Sequence, residues 1–227
     1  MTTLPAAQTP VSVPHEVYPA QEDSHLLVGV MLRSGLASGR RVADLCTGSG
    51  VVAIAAAEAG AESVVAVDVS AQAVRCARMN AISRGTELRT LTGSWEQVLG
   101  NERFDLVTCN PPYVPDDGRT QPAWDAGPPV AYNAGTNGRR VLDPLCTAAP
   151  KLLHPGGSML IVQSEFADIR RSVKLLGLGG LRATIVAQQA IPFGPVLLPR
   201  ALWLERRGLL KPGVRMERLV VIRADKS

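Results

Sequence analysis

No CxxC pair occurs in this sequence. Its cysteines, Cys46, Cys76, Cys109 and Cys146, lie far apart, and only three histidines accompany them. That argues against a zinc centre and for reduced thiols in a cytoplasmic protein. No apolar run approaches the ~18–20 residues of a membrane span, so no membrane partner is expected. The N-terminus, MTTLPAAQTPVSVPHEVYP, has no positive stretch followed by an apolar one. It reads as a flexible tail over residues 1–16 rather than as a leader. Internal repeats and low-complexity segments are missing, as is a dense basic stripe interleaved with aromatics. What is present is a 227-residue chain, 46% hydrophobic and 19% charged, with a net charge of +4. Those values suit one domain over 17–227 with a full core. Basic residues gather late, at Arg200, Arg206, Arg207, Lys211, Arg215, Arg218 and Arg223. They form either a solvated face and edge strand or a docking surface for an acidic or RNA-rich target.

Short β-like runs alternate with helical stretches. RRVADLC (40–46), SVVAVD (63–68), ELRTLTG (87–93), RFDLVTCN (103–110) and GGSMLIVQS (156–164) read as strands. Helices are expected over 21–37, after Gly50, over 70–85 with Ser70 as cap and Gly85 as stop, over 139–153 interrupted by Pro144, and over 165–176. LRATIVAQQ (181–189) and ERLVVIRA (217–224) are late strands, with a partly helical 196–208 between them. The alternation predicts a doubly wound, mostly parallel α/β sheet with a final antiparallel strand.

The first strand runs into Asp44-Leu45-Cys46-Thr47-Gly48-Ser49-Gly50 and then directly into a helix. Gly48 and Gly50 let a ligand approach the backbone, and the helix N-terminus offers unpaired N–H groups; a plain glycine turn is the alternative. The second strand ends in Asp68, 20 residues beyond Gly48, where an acid can accept two hydrogen bonds from a ribose diol or cap the next helix. A dinucleotide would place a pyrophosphate at the helix N-terminus. S-adenosylmethionine carries an ammonium instead, and Asp44 is spaced to meet it, so charge complementarity favours the methyl donor.

The fourth strand ends in Asn110-Pro111-Pro112-Tyr113. Two prolines remove two backbone donors and hold carbonyls in a set direction. Such a tetrapeptide at a strand's carboxyl end suits methylation of a planar nitrogen, whose lone pair is delocalised. The Asn110 side-chain oxygen and the Pro111 carbonyl can accept its two N–H groups and localise that pair, while Tyr113 stacks on the planar group.

Asp44–Gly50, Asp68 and Asn110–Tyr113 together resemble the class I S-adenosylmethionine-dependent methyltransferases of the NPPY type. More closely, the chain is similar to the HemK-related branch that includes the release-factor glutamine methyltransferases. VYPAQEDSHLL (17–27), AWDAG (123–127) and AGTNGRRVLD (134–143) carry the resemblance beyond the tetrapeptide. It implies a seven-stranded Rossmann-like sheet with Asp44, Thr47 and Gly48–Gly50 at the methionine part of the cofactor and Asp68 at the ribose. Val69 would pack on adenine, and Glu22 would help close over the cofactor. Asn110, Pro111 and Tyr113 would hold the target nitrogen. Cys46 replaces the first glycine of the usual loop. Ser94 stands where an acid commonly contacts the adenine amine, and Trp95 covers the adenine or belongs to the core. The compact form resembles the short eukaryotic and archaeal branch, which implies a protein glutamine substrate, such as a translation factor, and a small activator subunit. Adenine in nucleic acid and a small molecule are the alternative substrates.

Overall fold

The computed structural model describes residues 13–14, 16–120 and 127–227. The tail expected over 1–16 and most of the AWDAG segment therefore lie outside the described residues, in whole or in large part.

Seven strands form one sheet: β1 (Arg41–Leu45), β2 (Ser63–Asp68), β3 (Arg89–Thr92), β4 (Phe104–Cys109), β5 (Leu153–Ser164), β6 (Leu181–Pro192) and β7 (Met216–Lys226). Their spatial order is β3-β2-β1-β4-β5-β7-β6. The first five run parallel, while β7 inserts antiparallel between β5 and β6. The helices are α1 (Glu22–Ser34), α2 (Val51–Glu58), α3 (Ala71–Ser83), α4 (Trp95–Val98), α5 (Leu142–Leu152), α6 (Ile169–Leu178) and α7 (Ala201–Arg206). The expected mostly parallel sheet with a final antiparallel strand is the one observed.

Alternation along the strands divides the interior into two cores. Ala43 and Leu45 of β1 face one, with Leu145, Leu176 and Leu204 of α5, α6 and α7; Val42 faces the other, with Leu27 and Met31 of α1 and Ala53 of α2. The strand order reverses between β1 and β4. The carboxyl ends of these two strands therefore flank the crevice in which open α/β sheets bind ligands.

Several local expectations are corrected. Pro144 does not interrupt a helix: α5 starts at Leu142, so Pro144 sits in its first turn, where a missing N–H costs nothing. The stretch from Glu165 is broken into a 3-10 turn, Glu165–Ala167, and α6, because Asp168 takes a left-handed conformation and caps α6 through Arg171 N–H at 3.1 Å. The short α4 was not foreseen; one helical turn leaves no periodicity to detect. Arg200 belongs to neither reading of the late basic cluster, since it is completely buried.

Candidate active site

A cleft of about 1060 Å³, open mouth included, lies at the carboxyl ends of β1, β2 and β4. Asp44, Thr47, Gly48, Asp68, Val69, Trp95, Asn110, Pro111 and Tyr113 all line it. Gly50, Glu22 and Ser94 are not among its lining residues. Gly50 instead acts through the backbone as the left-handed N-cap of α2, φ 85°. A Cβ there would stand 2.9 Å from both Cα and Cβ of Ala77, so only glycine lets α2 start this close to α3. Glu22 is solvent-exposed, and next to Ser94 it is Gly93 that reaches the cleft.

At one end Asp44 is buried, accepting hydrogen bonds from the hydroxyls of Thr47 and Thr108, both at 2.7 Å. No described salt bridge involves it. Burial pushes its carboxyl up to about 6 despite those two donors. A buried carboxylate with hydroxyls but no cation around it is suited to receiving an ammonium group. Asp68 braces the loop: Gly48 N–H and Ser70 N–H each donate to it at 2.9 Å, and burial raises its carboxyl above the usual range. The helix-capping alternative for Asp68 falls to Ser70, whose hydroxyl accepts from Ala73 N–H at 3.3 Å. Cys46, at the position where the resemblance expects glycine, has φ 56°. It takes the left-handed turn that glycine would take without strain.

Further along the cleft Val51, Val52, Val67 and Val69 supply an apolar wall. Trp95 is buried there, and its indole N–H has no hydrogen-bond partner among the described residues. Such an orphaned donor is rare in a finished core. A planar, nitrogen-rich ring such as adenine fits this wall, and the polar groups from Asp44 and Asp68, which accept, to Trp95, which can donate, fit S-adenosylmethionine.

At the other end stands the tetrapeptide. The Asn110 amide nitrogen donates to Ser24 Oγ at 3.1 Å, which leaves the amide oxygen as the acceptor on that side chain. The Tyr113 hydroxyl donates to Asp23 at 2.8 Å. Burial, reinforced by the Asp23 carboxylate, holds that phenol well above its usual range, so Tyr113 stays neutral and donates to Asp23. Asp23 and Ser24 were missed in the sequence. Asp23, Leu27 and Met31 follow one another at i, i+4 and i+8 and are all buried. That apolar phase turns Asp23 inward and Glu22 outward.

The loop after the tetrapeptide is pinned from two sides. Arg200 donates to the Pro115 carbonyl at 3.0 Å and to Asn133 Oδ1 at 2.5 Å, and lies 5.6 Å from the ring centre of Tyr132, itself a cleft residue. Gly138 has φ 70°, and a Cβ there would run into the Tyr113 carbonyl oxygen.

This fold and this cleft are those expected of a methyltransferase, and the chain is similar to the class I S-adenosylmethionine-dependent enzymes. The model of the methyltransferase small domain family matches residues 20–126. The chain is 29% identical over 187 residues to a Methanocaldococcus jannaschii protein named as a candidate protein N5-glutamine methyltransferase, covering 82% of this chain and 91% of that one. It is 38% identical over 174 residues to the release factor glutamine methyltransferase of Xylella fastidiosa, covering 75% of this chain and 63% of that enzyme. In structure it resembles the Mtq2–Trm112 complex of E. cuniculi, described as methylating the eRF1 translation termination factor. The TM-score is 0.66 at 22% identity, over 93% of this chain and 99% of that one. Among the described residues no helix is long and apolar enough to cross a membrane.

Proposed function

We propose that this chain methylates the side-chain amide nitrogen of a glutamine in a protein, a translation factor being the leading class of substrate. One observation carries the reading. The Asn110 amide is tied through its nitrogen to Ser24, so it offers an acceptor oxygen in the same cleft as Asp44 and Asp68. S-adenosylmethionine supplies a methyl carbon made electrophilic by its sulfonium. Asp44 would hold its ammonium and Asp68 its ribose, while Val69 and Trp95 would flank the adenine. Asn110 Oδ1 and the Pro111 carbonyl accept the two N–H groups of the target amide, which localises the nitrogen lone pair toward the methyl carbon. Tyr113, fixed by Asp23, bounds the planar group. The apolar walls keep water from competing for the methyl group. Residues 17–227 act as one catalytic domain, and a translation-factor substrate places the reaction in the cytoplasm.

The test uses purified protein, methyl-labelled S-adenosylmethionine and a desalted lysate from cells lacking the gene, with products divided between protease and nuclease digestion. Label released by protease and located on glutamine by mass spectrometry is the expected result. Label released only by nuclease would overturn the reading in favour of an adenine substrate. Once the substrate is identified, turnover of that purified protein by the isolated chain, with no lysate present, would show that the activator subunit expected from the resemblance is not needed.

A further inference from the structure

Two thiols sit where the cofactor loop meets the catalytic strand. Cys46 lines the cleft and is partly exposed, while Cys109, immediately before Asn110, is fully buried. In the sheet register Leu45 lies directly beside Cys109, so Cys46 is one residue beyond that pairing. Neighbouring strands are about 4.8 Å apart, which puts the two α-carbons about 6 Å from one another. Disulfides span roughly 4.4–6.8 Å between α-carbons. The left-handed turn at Cys46 takes its side chain out of strand alternation, and burial first, then the neighbouring Cys46 thiol, holds the Cys109 thiol well above its usual range.

We propose that Cys46 and Cys109 form a peroxide-sensitive dithiol site whose disulfide disables the cofactor loop. Hydrogen peroxide entering the cleft oxidises Cys46 to a sulfenic acid and is reduced to water. The Cys109 sulfur then attacks the Cys46 sulfur, the S–O bond breaks, and the departing hydroxyl leaves as a second water with the Cys109 proton. Two thiols lose two hydrogens, and one peroxide becomes two waters. Burial keeps Cys109 protonated, so proximity rather than thiolate abundance carries the second step, and cross-linking is slow. The other cysteines are not equivalent. Cys76 accepts a hydrogen bond from Asn80 on α3 at 3.3 Å, and Cys146 is fully buried; neither lines the cleft.

The bond would join the residue before Thr47 to the residue before Asn110. Thr47 holds Asp44 through its hydroxyl and Val67 through its N–H at 3.0 Å. A new covalent constraint at Cys46 therefore moves the cofactor end and the tetrapeptide together. The experiment treats the full chain with hydrogen peroxide and reads intact mass, non-reducing peptide mapping and S-adenosylmethionine binding by calorimetry. The expected result is a loss of two hydrogens, a Cys46–Cys109 peptide, and binding weakened at least about tenfold and restored by dithiothreitol. Bound S-adenosylmethionine should slow the mass change by covering Cys46. Cys46→Gly, whose glycine suits the left-handed turn, should show no such mass change. Oxidation of Cys46 without the cross-link, a cross-link through Cys76 or Cys146, or a cross-linked protein that binds as tightly as the reduced one would overturn the proposal.

Discussion

Replacing Asp44 by Asn should make the ligand-free protein more stable while weakening its hold on the cofactor. The Asp44 carboxyl is pushed up to about 6 in the folded protein, chiefly by burial. An unfolded Asp titrates near 3.9, so between roughly pH 4 and 6 the native state binds more protons than the unfolded one. Stability therefore falls as pH rises through that window. The stabilisation present when Asp44 is protonated is lost as it ionises. One unit of pKa shift corresponds to about 1.4 kcal/mol, so the burden grows from about 1 kcal/mol at pH 4.5 to about 3 kcal/mol at pH 7.5. Asn keeps the shape, and the hydroxyls of Thr47 and Thr108 can rotate to suit it. Urea unfolding of both proteins at the two pH values gives the difference directly. The comparison between proteins matters because Glu217, buried at the start of β7 and pushed up to about 7 chiefly by burial, adds its own slope to both. Cofactor binding should move the other way. Loss of a buried charge pair costs at least about 2 kcal/mol, roughly 30-fold in affinity. A variant no more stable than the parent at pH 7.5, or one whose advantage is the same at both pH values, would refute the assignment of a strained, cation-seeking carboxylate.

The remaining predictions concern the other end of the cleft. Asn110→Ala should bind S-adenosylmethionine within a few-fold of the parent yet transfer methyl at least about 100-fold more slowly; parental turnover would remove Asn110 from the chemistry. Gly138→Ala must displace the Tyr113 carbonyl and adopt a strained φ, so a stability loss of about 1–3 kcal/mol and a fall in turnover are expected, with cofactor affinity retained in calorimetry. Arg200→Met should cost about 2–4 kcal/mol in urea unfolding, because it leaves the Pro115 carbonyl and Asn133 Oδ1 without their buried donor. Lys at that position cannot restore both bonds, having no planar fork.

The sequence by itself determined the sheet and the polarity of the site. Hydrophobic period and turn residues are local, so β1 to β5 could be read from runs such as SVVAVD, and with them the carboxyl ends on which Asp44, Asp68 and Asn110 fall. Cys46 was legible as a departure, though only the backbone revealed the left-handed turn it must hold. The supports of the tetrapeptide were decided by tertiary structure alone. Ser24 and Asp23 meet Asn110 and Tyr113 across 86 and 90 residues, and Arg200 reaches Pro115 across 85. No local pattern encodes which buried polar group finds which partner over such distances. That choice is made when the apolar faces of α1 and of the segment before α7 dock. Each docking leaves a buried donor or acceptor that folding must satisfy, and the strand ends are where those partners stand.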